Sequence, residues 1–206
     1  MSEFEAYSNE LLISAKKFLE ESKSAGTPSE RQRLLRSALT HSFFFLEAQL
    51  NYLASRFSNS SDFSISEKSL LSEQEVSLVK GKFILINKSK FYRLEDRIEF
   101  LLARFSPDLE ASKGSWFSEL LVSIKIRNRL VHPKEAHQIS EQEVERSLLA
   151  VLECLSAMYI CRFPRGSEPG FPSRSEPPLG YVSGFRLWSI RDCPPSFSAP
   201  RWLHWF

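Results

Sequence analysis

Residues 116–133 read Trp-Phe-Ser-Glu-Leu-Leu-Val-Ser-Ile-Lys-Ile-Arg-Asn-Arg-Leu-Val-His-Pro. Trp116, Leu120, Ile124, Arg127 and Val131 recur at spacings of three and four, which sets them in one stripe along a helix. Gly114-Ser115 precedes the stripe. Pro133 disfavours helical geometry at His132, so the helix ends there. A bounded helix with an arginine in its apolar stripe sets the reading of the rest of the chain.

Working outward, Ser140-Glu141-Gln142-Glu143 has the spacing of a capping box. A last helix follows, carrying Val144, Leu148, Val151, Leu152, Leu155 and Tyr159. At the other end, Phe4, Tyr7, Leu11, Ala15 and Phe18 predict a first helix over about Glu3–Ser24, closed by Ala25-Gly26. Thr27-Pro28-Ser29-Glu30 opens a second, which runs to about Phe57 with Leu35, Leu39, Ser42, Leu46, Gln49 and Leu53 on one face. Phe43, Phe44 and Phe45 widen that face most of the way round, as in a central helix or half of a subunit interface. Ser58–Asp62 is a polar loop. Ser72-Glu73-Gln74-Glu75 reads as another capping box, and Phe83–Ile86 is taken as helix because no partner strand is visible. Arg93–Phe105 is a further helix, with Leu94, Ile98, Leu101, Leu102 and Phe105 on one side. These stripes predict an all-α fold, an antiparallel four- to five-helix bundle over residues 1–161.

Composition changes at residue 162. Residues 162–206 hold 8 of the 11 prolines, 3 of the 4 tryptophans and no lysine, and show no apolar period. This predicts a disordered Pro/Arg/Trp-rich tail, whose Trp202–Phe206 end has the make-up of a docking peptide. The tail carries 6 basic against 3 acidic residues, and residues 1–161 carry 21 against 22. Nucleic-acid binding by the body would therefore rest on a local site, not on a basic coat. Cys154, Cys161 and Cys193 are odd in number and unpaired in spacing, which suggests neither a disulfide framework nor zinc. With an acidic start that no apolar segment follows, and no run approaching the ~20 apolar residues of a membrane span, a cytoplasmic protein with no membrane association is expected.

The chemistry gathers at Arg127, Asn128 and His132. A guanidinium cannot shed its charge, so one in an apolar stripe needs a carboxylate, a phosphate or water. Asn128 is the next residue round, and His132 stands where the helix breaks. Cleavage of RNA through its own 2′-hydroxyl needs a base near neutrality, as imidazole supplies. It also needs a fixed cation for the charge on phosphorus, as guanidinium supplies. No metal or other cofactor is expected, because His41, His132, His137 and His204 form no ligand set with cysteines or acids. The plainer reading is an arginine favouring the helix dipole near a C-terminus, with an ordinary histidine beyond it. Glu47, on the most apolar helix, is a candidate partner for Arg127 or a solvated edge residue. Lys134 and His137 are candidate phosphate contacts in the following loop, or simply solvated there. Lys125 and Arg129, about 200° round the wheel from Arg127, read as solvated, and His41 as a helix-surface or boundary residue.

Arg127-Asn128, three residues and His132 match the signature of the HEPN family: arginine, a polar residue, three or more variable residues, histidine. The setting resembles that family too, with the motif closing one helix and a capped helix following a short loop, here Pro133–Ile139. The likeness spans roughly residues 1–161. It implies a metal-independent endoribonuclease, a toxin or defence effector, that acts as a homodimer and leaves 2′,3′-cyclic phosphate ends. Members that have lost activity imply the alternative, a non-catalytic dimerisation or binding module for RNA or protein. An antitoxin or other partner protein would belong to either. Lys134 stands where members silenced by a nucleotidyltransferase often carry tyrosine, so that form of silencing is not expected.

Overall fold

The computed structural model describes residues 3–57, 62–105 and 108–162. In chain order these form α1 (Glu3–Lys23), α2 (Pro28–Phe57), α3 (Ile65–Ser72), β1 (Gln74–Val79), β2 (Lys82–Ser89), α4 (Leu94–Phe105), α5 (Leu109–Val131) and α6 (Glu141–Arg162). The described chain is mostly helical, with one small two-stranded sheet.

The helix α2 is central, touching α1, α3, α5 and α6. Thr27 accepts the Glu30 amide at 3.2 Å, while the Glu30 carboxylate reaches one residue further back, to the Gly26 amide. The stripe from Leu35 to Leu53 is wholly buried, and Phe43 and Phe45 are buried with it. Only Phe44, at 45% exposure, is left of the apolar surplus that suggested a subunit interface on this helix. The surplus is used inside the chain, because neighbours pack α2 on several sides.

The buried face of α1 is rotated from the expected stripe. Tyr7 is 56% exposed, whereas Ser8, Ala15, Leu19 and Ser22 are buried. Small hydroxyl residues can occupy that face because their hydrogen bonds are met there. Ser8 accepts from the Gln49 amide of α2, and Ser22 donates to the Leu19 carbonyl at 2.7 Å.

The all-helical expectation fails at residues 74–89, which form an antiparallel hairpin. The reading of Ser72–Glu75 as a helix start is wrong for a local reason. A capping box does form, but eight residues earlier, between Ser64 and Glu67. It starts α3, and Glu73, in the left-handed region at φ 52° and ψ 39°, ends it. The Ser72 hydroxyl then donates back to the Lys68 carbonyl at 2.7 Å. The hairpin closes through Lys80 and Gly81, both at positive φ (50° and 77°), which suits the twist of a two-residue turn. Leu78 faces Phe83 and Ser77 faces Ile84 across it.

At Gly114 the backbone leaves helical geometry (φ 49°, ψ −170°), so the segment from Trp116 onward is a distinct run within α5. The loop after α5 is pinned to α2 by the Gln32 amide, which donates to the Ile139 carbonyl at 2.8 Å and accepts its N–H at 3.0 Å. The box at Ser140 and Glu143 then starts α6. Arg162, where the tail reading begins, is the last residue of α6, and the rest of the tail lies outside the described residues. Among the described residues, no helix is long and apolar enough to cross a membrane.

Candidate functional site

Trp116, Leu120 and Ile124 of the α5 stripe are buried, and Arg127 continues it at the rim, half-buried. Its guanidinium lies 6.0 Å from the centroid of the Phe43 ring, a cation–π contact on an apolar floor. Nη2 donates to Glu47 Oε1 at 2.6 Å, and Nη1 donates to Asn128 Oδ1 at 3.2 Å. Phe43 and Glu47 stand one turn apart on α2, so one helix supplies both floor and counter-ion. Two of the five guanidinium N–H donors are engaged by these bonds, and the others remain for a ligand.

Asn128 and His132 are four residues apart and therefore share a face, with Arg127 at its inner edge. Both are exposed. The His132 amide still donates to the Asn128 carbonyl at 2.9 Å, so helical bonding runs to the residue before Pro133. Side by side, the three residues present a charge-compensated guanidinium, an amide that bonds it, and an open imidazole. Such a surface can take an oxyanion against Arg127 and exchange a proton at His132.

Behind Glu47 lies a residue that the sequence reading passed over. Arg97 of α4 is 4% exposed. It pairs through Nη1 with Glu73 at 3.0 Å and donates through Nη2 to Asn51 Oδ1 at 2.7 Å and the Leu71 carbonyl at 3.2 Å. Burial pushes its pKa below the usual arginine value, and the negative charges of Glu73 and Glu47 oppose that shift. Asn51 is one turn beyond Glu47, so this stretch of α2 faces two guanidinium groups. A signal existed in the sequence: Leu94, Arg97 and Leu101 have the same three-and-four spacing that exposed Arg127.

The other two candidates lie in the loop after His132. Lys134 is exposed. His137 is held against α2 by its carbonyl, which accepts from Arg36 Nη2 at 3.0 Å. Arg36 precedes Glu47 by eleven residues, about 16 Å along the helix axis. Lys125 and Arg129 are exposed. His41 lies between the rings of Phe18 and Phe44, toward α1, with Nδ1 2.8 Å from the Ser37 carbonyl. Cys154 is fully buried, which pushes its thiol pKa up and leaves it no nucleophilic role. Among the described residues, no three His, Cys, Asp or Glu side chains gather as a metal site.

Compared with protein-family models, curated proteins and solved structures, the chain finds no match.

Proposed function

We propose that this chain is a metal-independent endoribonuclease of the HEPN type, with Arg127, Asn128 and His132 at its centre. On this reading α1, α2, α4, α5 and α6 make the HEPN-like bundle, and α3 with the hairpin is an insertion in it. The observation that carries the reading is the Arg127 guanidinium, fixed between Glu47 and Asn128 beside an open His132. The family likeness itself rests on those residues and their helical setting.

The His132 imidazole takes the proton from a ribose 2′-hydroxyl. The 2′-oxygen then attacks the adjacent phosphorus. Charge collecting on the phosphoryl oxygens is met by the remaining Arg127 donors, already oriented by Glu47. The bond to the 5′-oxygen breaks, and that oxygen takes a proton from solvent or from an imidazolium in a second copy. The products are a 2′,3′-cyclic phosphate and a 5′-hydroxyl. A homodimer suits this scheme, because two copies of an open Asn128–His132 face can close one cleft. A toxin or defence role in the cytoplasm follows from the likeness alone.

A second reading is a non-catalytic binding module of the same type. It is favoured by the Glu47 carboxylate, which neutralises the cation that catalysis would use, and by the near-neutral charge of residues 1–161. The two part on one substrate. An oligonucleotide with a single ribose in a 2′-deoxy background should be cut only after that ribose, leaving a cyclic phosphate. The all-deoxy version should survive. Cutting of both, or of neither, rules out the 2′-hydroxyl mechanism.

A further inference from the structure

The hairpin is the basic part of an otherwise acidic body. Residues 76–94 contain Lys80, Lys82, Lys88, Lys90 and Arg93 and no acid, while the rest of residues 1–161 holds 16 basic against 22 acidic residues. Lys88 is paired with Glu75 across the strands at 2.7 Å, and Arg93 with Glu95. Lys80 and Lys82 bracket Gly81 at the tip, and Lys90 lies 4.9 Å from the centroid of the Tyr92 ring at the other end. All three are exposed.

Between these cations the arm shows apolar surface. Leu78 and Phe83, opposed across the strands, are 62% and 63% exposed, and Phe91 is 90% exposed. Val79 and Ile84, which alternate with Leu78 and Phe83 along the strands, are exposed on the opposite face of the pair. A second copy of the chain is a poor occupant, because lysines along an edge strand repel the like edge of a copy. Alternating cations and flat rings fit a polyanion that carries stackable faces, which is single-stranded nucleic acid. A duplex would offer the phosphates without the base faces.

We propose that the hairpin is an RNA-binding arm, with Lys80, Lys82 and Lys90 taking backbone phosphates and Phe83 and Phe91 stacking bases. The choice of RNA rests on the activity proposed above. The arm is also tied to that site: Glu73, at its base, holds Arg97, which bonds Asn51 one turn from Glu47, the partner of Arg127. The base of the arm is thereby joined to the stretch of α2 that carries Glu47.

The test uses the full chain in EDTA with a labelled single-stranded 2′-O-methyl RNA of about a dozen nucleotides, which 2′-hydroxyl chemistry cannot cut. Affinity is read by anisotropy over a series of salt concentrations. The wild type should bind it better than the matching duplex. Phe83→Ala and Phe91→Ala should each weaken binding about tenfold. The triple variant Lys80→Gln, Lys82→Gln, Lys90→Gln should flatten the slope of log affinity against log salt by about 2. Melting temperatures should not move, since these side chains are exposed. Phe91, outside the strands, keeps the test sound if Phe83→Ala loosens the hairpin. The proposal is overturned if the wild type does not bind the probe, or if all three variants bind as well as wild type. It is also overturned if Phe83→Ala splits a dimer while affinity holds. Binding by a wild type that cuts no RNA would remove the proposed catalysis and leave the arm standing.

Discussion

Arg127 and Arg97 illustrate what a sequence can disclose about polar residues. Both fall where an apolar stripe calls for a hydrophobe, so the need for a partner is legible. The partner of Arg127 was within reach of the same reasoning, since Glu47 follows the phenylalanine run of α2. The partners of Arg97 were not. Glu73 belongs to the left-handed end of α3 and Asn51 to another helix, and no spacing links residues 51, 73 and 97. The two arginines should behave differently when removed. Arg97→Ala strips a buried cation from a half-buried acid and an amide, and should cost about 3 kcal/mol in urea unfolding, the low end for one partner of a buried pair. Arg127→Ala, at the rim, should cost about 1 kcal/mol. Its effect on RNA cleavage should be much larger, at least comparable to the 10²–10⁴-fold expected on removing the base at His132. Asn128→Ala should fall between wild type and Arg127→Ala, because it bonds the guanidinium without carrying charge. Equal rates for Arg127→Ala and wild type would leave Arg127 a purely structural residue.

Among the elements, the long helices were legible because apolar period, cap and stop agreed with one another. The stripe of α2 and the box at Ser140 are examples. The hairpin was not legible, for two physical reasons. Its turn uses Lys80-Gly81, and lysine does not advertise the positive φ that asparagine would. Phe83–Ile86 is also a continuous apolar run, which periodicity alone cannot assign to strand or helix. On α1 the stripe was misplaced because Ser8 and Ser22 are buried through hydrogen bonds that hydrophobicity does not count. The cap of α6 carries a pH signature. The Ser140 amide and hydroxyl, both donating to Glu143, hold its carboxyl below the usual carboxylate value of 4.5. A carboxyl lowered by folding stabilises the folded state fully above its unfolded pKa. That contribution fades as pH drops below about 4.5, through the lower folded value. In thermal melts, the difference between wild type and Glu143→Gln should therefore be largest at neutral pH and shrink with acidification. A difference that grows in acid would contradict this origin. Ser140→Ala should cost about 1 kcal/mol at neutral pH.

At the scale of the whole molecule, α2 organises the described residues, and the face it shares with α4 and α5 holds both the candidate site and the tie to the hairpin. The phenylalanine run of α2 is not free to form a dimer seam. Phe43 and Phe45 are buried within the chain, so a second copy would have to meet the open end of α5, where Val131, Asn128 and His132 are exposed. Sedimentation at micromolar concentration should show a dimer, and Val131→Asp should weaken it. A monomeric wild type would remove the paired-site arrangement. Deleting residues 163–206 should leave the melting temperature within a few degrees, because that segment has no apolar period to add to a core. A truncated chain without a cooperative melt would move the domain boundary. The central claim is the chemistry at the end of α5, and one assay reaches it directly: purified wild type and His132→Ala, matched by melting temperature, incubated with total RNA in EDTA. The account predicts that the wild type cuts, leaving 2′,3′-cyclic phosphate ends, and that His132→Ala is at least a hundredfold slower. Equal cutting by the two folded proteins would contradict it, as would a wild type that leaves RNA intact.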